Sequence, residues 1–418
     1  MTFYRSTAAA QIFPELNNTR DCEVCIIGAG YAGLATAMGL VERGINNLVV
    51  LEAEQVGHGA SGRNGGFVFG GFSLSNQSLL DRLGQVQAAK MYRLTLDAVE
   101  LIRHRIDQYA IDCEKNESGV LLANWFDDNR LLERQQELMR RAFNVDWAMW
   151  SREKTHAHLH SERYYGALHE SNAFHFHPLK YAQGLAAQLT SKGVRLFEQS
   201  KALRIETDST EKIIYTPRGK IRARHVVVCC GGYIGKLVPA LSRSVLPITT
   251  FVITTEPLGD RLTDVFNTSA AVYDTRFAFD YYRPLPDSRI LWGGRISIFN
   301  PGPDQIAKKL RGDLLRVYPQ LSDVKVEHAW SGVMSYASHQ MPQIGQLPDG
   351  VWYGMGFGGH GVSTTTLAGE VLAEAIAHGR TLPSGLAQFG LPANFGAFGL
   401  LAAQCTYWFH ALRDWWKT

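Results

Sequence analysis

Between Cys22 and Glu52 the hydrophobic pattern changes character three times. Residues 24–27 form a short, continuous apolar run, the pattern of a strand buried on both faces of a parallel sheet. Residues 34–43 carry apolar positions at helical spacing and stop at Gly44, a C-terminal cap. Residues 48–51 are a second apolar run, and the acid Glu52 ends it. The unit reads strand, helix, strand. Beyond it the periodicity predicts mainly helix over 78–144, broken by a short strand at 119–123, and a helix over 178–192 ended by Gly193. Short strand-type runs follow at 194–197, 202–206, 213–216, 221–223 and 226–230. Residues 245–335 are again strand-rich, with runs at 246–255, 278–283, 289–292 and 324–333 around a helix at 304–318. A last buried-type strand at 351–355 leads into a helix from about Ser363 to His378, stopped by Gly379.

Composition narrows this picture only in places. A chain of 418 residues, 45% hydrophobic and 11% aromatic, has room for two domains with substantial cores. Its 42 basic and 39 acidic residues nearly balance, which argues against a nucleic-acid binder. The six cysteines form no disulfide framework. Cys22 and Cys25 flank a predicted strand; three apart, they are expected on opposite faces and not as a metal or redox pair. Adjacent Cys229 and Cys230 are expected to diverge likewise, and no metal site is predicted. Reduced thiols, a start without an apolar leader, and no run of 18 apolar residues point to a cytoplasmic protein.

The chemistry sits at the strand ends. Gly28, Gly30 and Gly33 follow the first strand in G-x-G-x-x-G spacing. That spacing allows a tight turn, a close approach of pyrophosphate to the backbone, and close helix–strand packing. The helix start offers N–H groups to phosphate, and Glu52 is placed to bind a ribose diol. The segment HGASGRNGGFVFGG, residues 58–71, is expected to lie along an extended cofactor, its amides on a flat ring and Arg63 neutralising negative charge. A second glycine-rich helix start, GFGGHGVSTTT, is what a flavin needs where charge collects on reduction, and a nicotinamide enzyme does not need it. His360 adds to it. Tyr281, Tyr282, Trp292, Trp330 and Tyr336 are candidates to line a substrate cavity, against an ordinary role in the core. The aromatic tail, 395–416, is expected to dock on the protein as an amphipathic helix; contact with a membrane surface or a protein partner is the alternative.

Taken in order, YRSTAAAQIFPEL, CIIGAGYAGL, LEA, GASGRNGGF, PITTFVITTEPL, DYYRPLPDSRILWGGR and MGFGGHGVSTTTLAGEVLAEAI resemble the FAD-dependent oxidoreductases of the D-amino-acid oxidase and sarcosine oxidase family, in particular the gamma-glutamylputrescine oxidase-like branch. The resemblance implies an α/β fold: a doubly wound, Rossmann-type FAD domain from residues 1–75, 165–240 and 330–390, an α+β substrate domain with a mostly antiparallel sheet from 76–164 and 241–329, and a tail at 391–418. It implies that Gly28, Ala29, Gly30, Ala32 and Gly33 hold the pyrophosphate, and Glu52 and Ala53 the ribose. It sets Ser61, Gly62, Arg63, Asn64, Gly65 and Gly66 beside the isoalloxazine, Ala202 at the adenine, and Cys230, Gly231 and Gly232 near the pyrophosphate and ribityl chain. Gly356, Gly358, Gly359, His360, Gly361, Val362 and Thr364 would surround the pyrimidine end.

Two departures from the pattern carry information. No cysteine lies between Cys230 and Cys405, so noncovalent FAD is expected. Ser363 stands where sarcosine-oxidase-like members carry a lysine for the substrate carboxylate, which favours an amine without an adjacent carboxylate. The implied reaction is amine oxidation: hydride transfer to flavin N5, hydrolysis of the imine to an aldehyde, and reoxidation by O2 to give H2O2. His360, His339, Tyr282 and Arg283 are the candidate catalytic side chains. The alternatives are a dehydrogenase that passes electrons to a quinone or carrier protein, and a non-catalytic flavin-binding partner subunit.

Overall fold

Five parallel strands set the frame. In the computed structural model, which describes residues 1–208 and 211–417, Thr19–Ile27 lies between Leu48–Leu51 and Lys220–Val228. Leu48–Leu51 pairs onward with Arg195–Phe197, and Lys220–Val228 with Trp352–Met355. Gln343–Gln346 closes one edge antiparallel, and a hairpin of Arg204–Thr207 and Lys212–Tyr215 adds to the start of Lys220–Val228. The first strand reads as continuously apolar because both faces are covered: Val24 and Ile26 enter one core, Cys25 and Ile27 the other. Four of these parallel strands run out at the same edge of the sheet, at Gly28, Glu52, Cys229 and Gly356.

On one face, helices Tyr31–Glu42 and Gly361–His378 cross in close contact. A Cβ on Gly369 would lie 2.6 Å from Ala35, and one on Gly39 2.8 Å from Ala373. The long helix Asn76–Gln108 is tied to both by Arg105, fully buried, whose guanidinium meets Glu42 and Glu370.

The second sheet has eight strands, in the order Val326–Tyr336, Leu246–Thr255, Ile290–Ser297, Asp280–Pro284, Ala271–Asp274, Val120–Ala123, Ala167–Glu170 and Ala148–Trp150. All pairs are antiparallel except Ala271–Asp274 with Val120–Ala123. Helix Pro303–Val317 covers one face over a core that holds Tyr282, Trp292 and Tyr318. The segment boundaries differ from expectation in two places. Ala167–Glu170, expected with the cofactor sheet, pairs here, because its partners Val120–Ala123 and Ala148–Trp150 are here. Val326–Tyr336 runs unbroken across the expected boundary at 330 along Leu246–Thr255. Position 418 of the expected tail segment lies outside the described residues.

The cysteine expectation is half corrected. Cys229 and Cys230 do diverge to different cores. Cys22 and Cys25 share one core, and the Cys25 thiol is pushed well up by burial and by the neighbouring Cys22 thiol. Between them the N–H groups of Glu23 and Val24 both donate to the Asn47 carbonyl. All six cysteines are free, and the described residues contain no metal-holding cluster.

Candidate functional site

The first corner is built by Gly28, Gly30 and Gly33. Gly28 adopts φ +109°, and a Cβ there would lie 2.6 Å from the Cys229 carbonyl. Gly33 sits so close under the strand end that a Cβ would fall 1.9 Å from the Gly28 carbonyl. Gly30 is the N-cap of Tyr31–Glu42, a helix whose first turn holds Ala32 and Gly33. The Tyr31 N–H donates to Ser61 Oγ at 2.9 Å. Glu52 leaves the second strand and turns its carboxylate back, accepting from Ala29 N at 2.8 Å and Glu54 N at 3.0 Å. Burial raises its pKa, and the amides of Glu54, Ala29 and Ala53 hold it down. Ala202 is buried beyond the third strand, where Ser200 N donates to the Glu52 carbonyl. Cys230 caps the short turn Gly231–Tyr233 at the fourth strand end, and a Cβ on Gly232 would meet Val333 at 2.8 Å.

The glycine-rich segment is a knotted turn, not a flexible surface loop. Asn64 Nδ2 donates to the Ala60 and Ser61 carbonyls while its Oδ1 accepts from Gly66 N. Gly62 N returns to the Gly59 carbonyl. Gly65 lies against the Tyr281 ring, and Gly66, at φ +82°, against the Phe176 carbonyl. Arg63 also has a structural task. Its guanidinium is committed to the carbonyls of His58 at 2.7 Å and Ser331 at 3.2 Å, so it ties this turn to the second sheet. Trp330 Nε1 donates to the Arg63 carbonyl, a second tie between the same two parts.

The second corner follows Trp352–Met355. Gly356 and Gly358 have φ of +73° and +59°. Ser73 Oγ accepts from the N–H groups of Gly359 and His360 at 2.8 and 3.2 Å, a hub with no signal in the sequence. Tyr336 bridges to Phe357, joining the second sheet to this corner. In the first turn, Gly361 and Val362 start the helix, Ser363 Oγ donates to the Phe69 carbonyl at 2.8 Å, and Thr364 Oγ1 donates to the His360 carbonyl. Ser363, at the position expected of a carboxylate-gripping lysine, is thus spent on holding residue 69. The His360 ring meets Phe69 edge-on at 4.7 Å, and burial lowers its pKa to about 4, so it is a neutral imidazole at physiological pH.

Of the four candidate catalytic side chains, only His360 stands at this corner. Tyr282 is fully buried in the other core, stacked on Trp292 at 4.3 Å, its hydroxyl donating to that of Tyr164. Strand alternation decides this: Tyr281 faces the glycine-rich turn, so Tyr282 and Trp292 face away. Arg283 is fully buried and donates to the carbonyls of Gly65 and Phe176. His339 accepts from Met341 N and packs on Phe389.

Sequence reading passed over Glu170. It ends its strand opposite Val120 and is 7% exposed. Burial raises its carboxyl to about 7, against the pull of the Gly70 N–H. Its charge acts on Tyr92 and Tyr273. The Tyr92 hydroxyl is buried without a hydrogen-bond partner among the described residues, and Tyr273 stacks on Phe69 at 5.6 Å. One aromatic ring, Phe69, therefore separates His360 from Tyr273 and its neighbouring acid. The available signal was alternation, which sets Glu170 on the same face as the buried Leu168.

A family model described as FAD dependent oxidoreductase (DAO) matches residues 23–375. The chain is 35% identical over 368 residues to the gamma-glutamylputrescine oxidoreductase of Escherichia coli, covering 87% of this chain and 85% of that protein. It is 34% identical over 370 residues to the probable oxidoreductase OrdL of Haemophilus influenzae, with the same coverage. Among solved structures, glycine oxidase from Geobacillus kaustophilus superimposes with a TM-score of 0.75 at 20% identity, over 89% of this chain and 98% of that one.

Proposed function

The chain belongs to the FAD-dependent oxidoreductase (DAO) family and is an FAD enzyme, and we propose that it oxidises a primary or secondary amine of polyamine or gamma-glutamylputrescine-like type, with noncovalent FAD and with O2 as acceptor. The residues suit the coenzyme. Two helix N-termini open at one edge of one parallel sheet, the place where such sheets bind nucleotides. Glycines stand where a Cβ would strike backbone, and an acid ends the second strand. Gly28 to Gly33 and Glu52 would hold the adenosine half, residues 61–66 the ring, and residues 356–364 its pyrimidine end. When bound, FAD supplies the two-electron acceptor for the C–H bond beside the amine nitrogen.

The chain's own residues supply the rest. Phe67, Phe69, Tyr273 and Tyr281 form an aromatic wall that excludes water and disfavours an ammonium at the reacting nitrogen, so the neutral amine is held there. Water then hydrolyses the imine to an aldehyde. The observation that carries the substrate class is Glu170. Behind that wall lies a buried acid rather than a cation, whose negative charge suits a substrate with a second, cationic nitrogen. The name of the Escherichia coli relative supports the same class. Anaerobic titration with putrescine, gamma-glutamylputrescine, sarcosine and D-amino acids tests this. Bleaching by the first two is expected; bleaching by sarcosine or D-amino acids alone would overturn it. Turnover under air with stoichiometric H2O2 is expected, and fast dye reduction with little peroxide would favour a dehydrogenase.

Glu170→Gln is expected to lower kcat/KM for a diamine by about tenfold to a hundredfold, through loss of the buried negative charge behind the aromatic wall. A neutral-tailed monoamine should change little. In the parent enzyme kcat/KM for the diamine is expected to rise with pH through about 7 as the carboxyl ionises, and this rise should vanish in the variant.

A further inference from the structure

The C-terminal helix Ala397–Trp416 is docked the wrong way round. Its fully buried residues are Gln404, Tyr407 and Asp414, and Leu400, Ala403, His410 and Ala411 are half-buried beside them. Gln404 Oε1 accepts from Ile298 N at 3.0 Å, and Asp414 Oδ2 accepts from the N–H groups of Phe277 and Ala278 at 2.8 and 3.2 Å. The apolar face is turned out. Phe398 is 83% exposed, Leu401 53%, Trp408 54%, Phe409 64%, Leu412 49% and Trp416 74%. Phe277, which stacks on His410 at 4.2 Å, and Phe299, next to the residue that Gln404 holds, extend this plateau at 43% and 62% exposed. The expected amphipathic docking is therefore inverted: hydrogen bonds fix the helix, and the hydrophobic effect is left unsatisfied over a continuous surface.

We propose that this face is a membrane-surface anchor, lying in the headgroup region of an anionic bilayer. The charges identify the partner. The helix and the residue after it carry three charged side chains. The acid, Asp414, is turned inward, while the cations Arg413 and Lys417 are exposed and flank the tryptophans in the chain, the Lys417 ammonium 5.8 Å from the Phe126 ring. Exposed cations beside Trp, Phe and Leu are the composition of an interfacial helix on anionic lipid. A second copy of the chain fits less well. A two-fold contact through this face would bring in Arg413 and Lys417 from both copies with no exposed acid of the helix to pair them. The helix lies on the bilayer rather than across it, since no helix among the described residues is long and apolar enough to span. The anchor rests on no part of the reaction assigned above.

The test uses the full-length holoenzyme and flotation with vesicles of phosphatidylcholine alone or mixed with phosphatidylglycerol. The protein is expected to float with the mixed vesicles and to release as salt rises. A triple variant, W408S/F409S/W416S, should partition about a hundredfold less or weaker, since three aromatic side chains no longer insert. Its flavin spectrum and turnover should match the parent, which separates lost binding from lost folding. R413Q/K417Q should weaken binding to mixed vesicles and leave any binding to phosphatidylcholine alone unchanged. The proposal is overturned if the parent stays unbound to mixed vesicles. It is equally overturned if light scattering shows a dimer that the triple variant dissociates while vesicle binding is absent.

Discussion

Gly28→Ala is expected to purify colourless, with FAD affinity reduced by at least about a hundredfold and stability lowered by about 3 kcal/mol or more. Two effects add at this one atom. A φ of +109° is strained for any residue with a Cβ, and the new methyl would sit 2.6 Å from the Cys229 carbonyl, on the rigid end of the fourth parallel strand. Neither neighbour yields cheaply. Gly28 N is held by the Leu51 carbonyl at 2.7 Å, and Cys229 N by the Ile27 carbonyl at 2.8 Å, so the two strand tips are already locked together. Relief has to come from the turn itself, which moves the amides that follow it. Gly44→Ala is the control. Gly44 also has positive φ, +83°, but nothing lies within 4 Å of its Cβ position and it stands at the far end of the same helix. That variant is expected to lose only about 1 kcal/mol and to remain yellow. Flavin absorbance per mole of protein and thermal denaturation of both variants check the pair. A yellow Gly28→Ala would mean that the corner does not hold the coenzyme.

The contrast between those two glycines shows what a sequence carries and what it leaves out. Both precede or follow a helix and both are punctuation, yet only the spacing to Gly30 and Gly33 marked the first as part of a site. Local patterns of this kind foretold the strand–helix–strand unit, the second helix start and the strand-rich middle, because each depends on neighbours a few residues away. What was not legible depends on partners far along the chain. The acid at 170 became informative only when its strand was placed beside Val120–Ala123 and behind Phe69. Which tyrosine of the pair 281–282 faces the site depends on register, and a one-residue choice reverses it. The tail was read from its composition, which is the same whichever face is turned inward. Its orientation is set by backbone N–H groups at Phe277, Ala278 and Ile298, in turns beside strands of the second sheet, that need acceptors and find them in Asp414 and Gln404.

Arg283 makes the same point with the larger consequence, since its side chain was expected to act on substrate. Arg283→Met is expected to destabilise the protein by about 3–5 kcal/mol and to lose FAD in step with the unfolding. The guanidinium is fully buried, and among the described residues no carboxylate forms an ion pair with it. Its Nε donates to Gly65 O at 2.7 Å and its Nη2 to Phe176 O at 2.8 Å, with Tyr4 Oη at 3.4 Å. The fourth neighbour is His175 Nδ1 at 3.3 Å. Burial and the guanidinium lower the His175 pKa to about 3, so that ring is neutral. With Nε2 donating to the Ser269 carbonyl at 2.8 Å, Nδ1 is left as the acceptor Arg283 needs. One planar group thus gathers the glycine-rich turn, the strand before helix Pro178–Ser191 and the N-terminal helix Phe3–Thr7, whose Tyr4 also donates to Asn64 O. Methionine fills the volume but leaves two buried carbonyls unpaired. Lysine keeps the charge and reaches one carbonyl at a time. Arg283→Lys is therefore expected to fold with a stability loss of about 1–3 kcal/mol and a weaker hold on FAD. Once saturated with FAD, its kcat should fall less than about tenfold, because the lost contacts are to backbone and not to substrate. A group that acted on the reacting amine would give the opposite split, with stability near the parent and kcat reduced by orders of magnitude at full FAD loading. Denaturation midpoints, FAD titration and kcat on the same preparations distinguish the two.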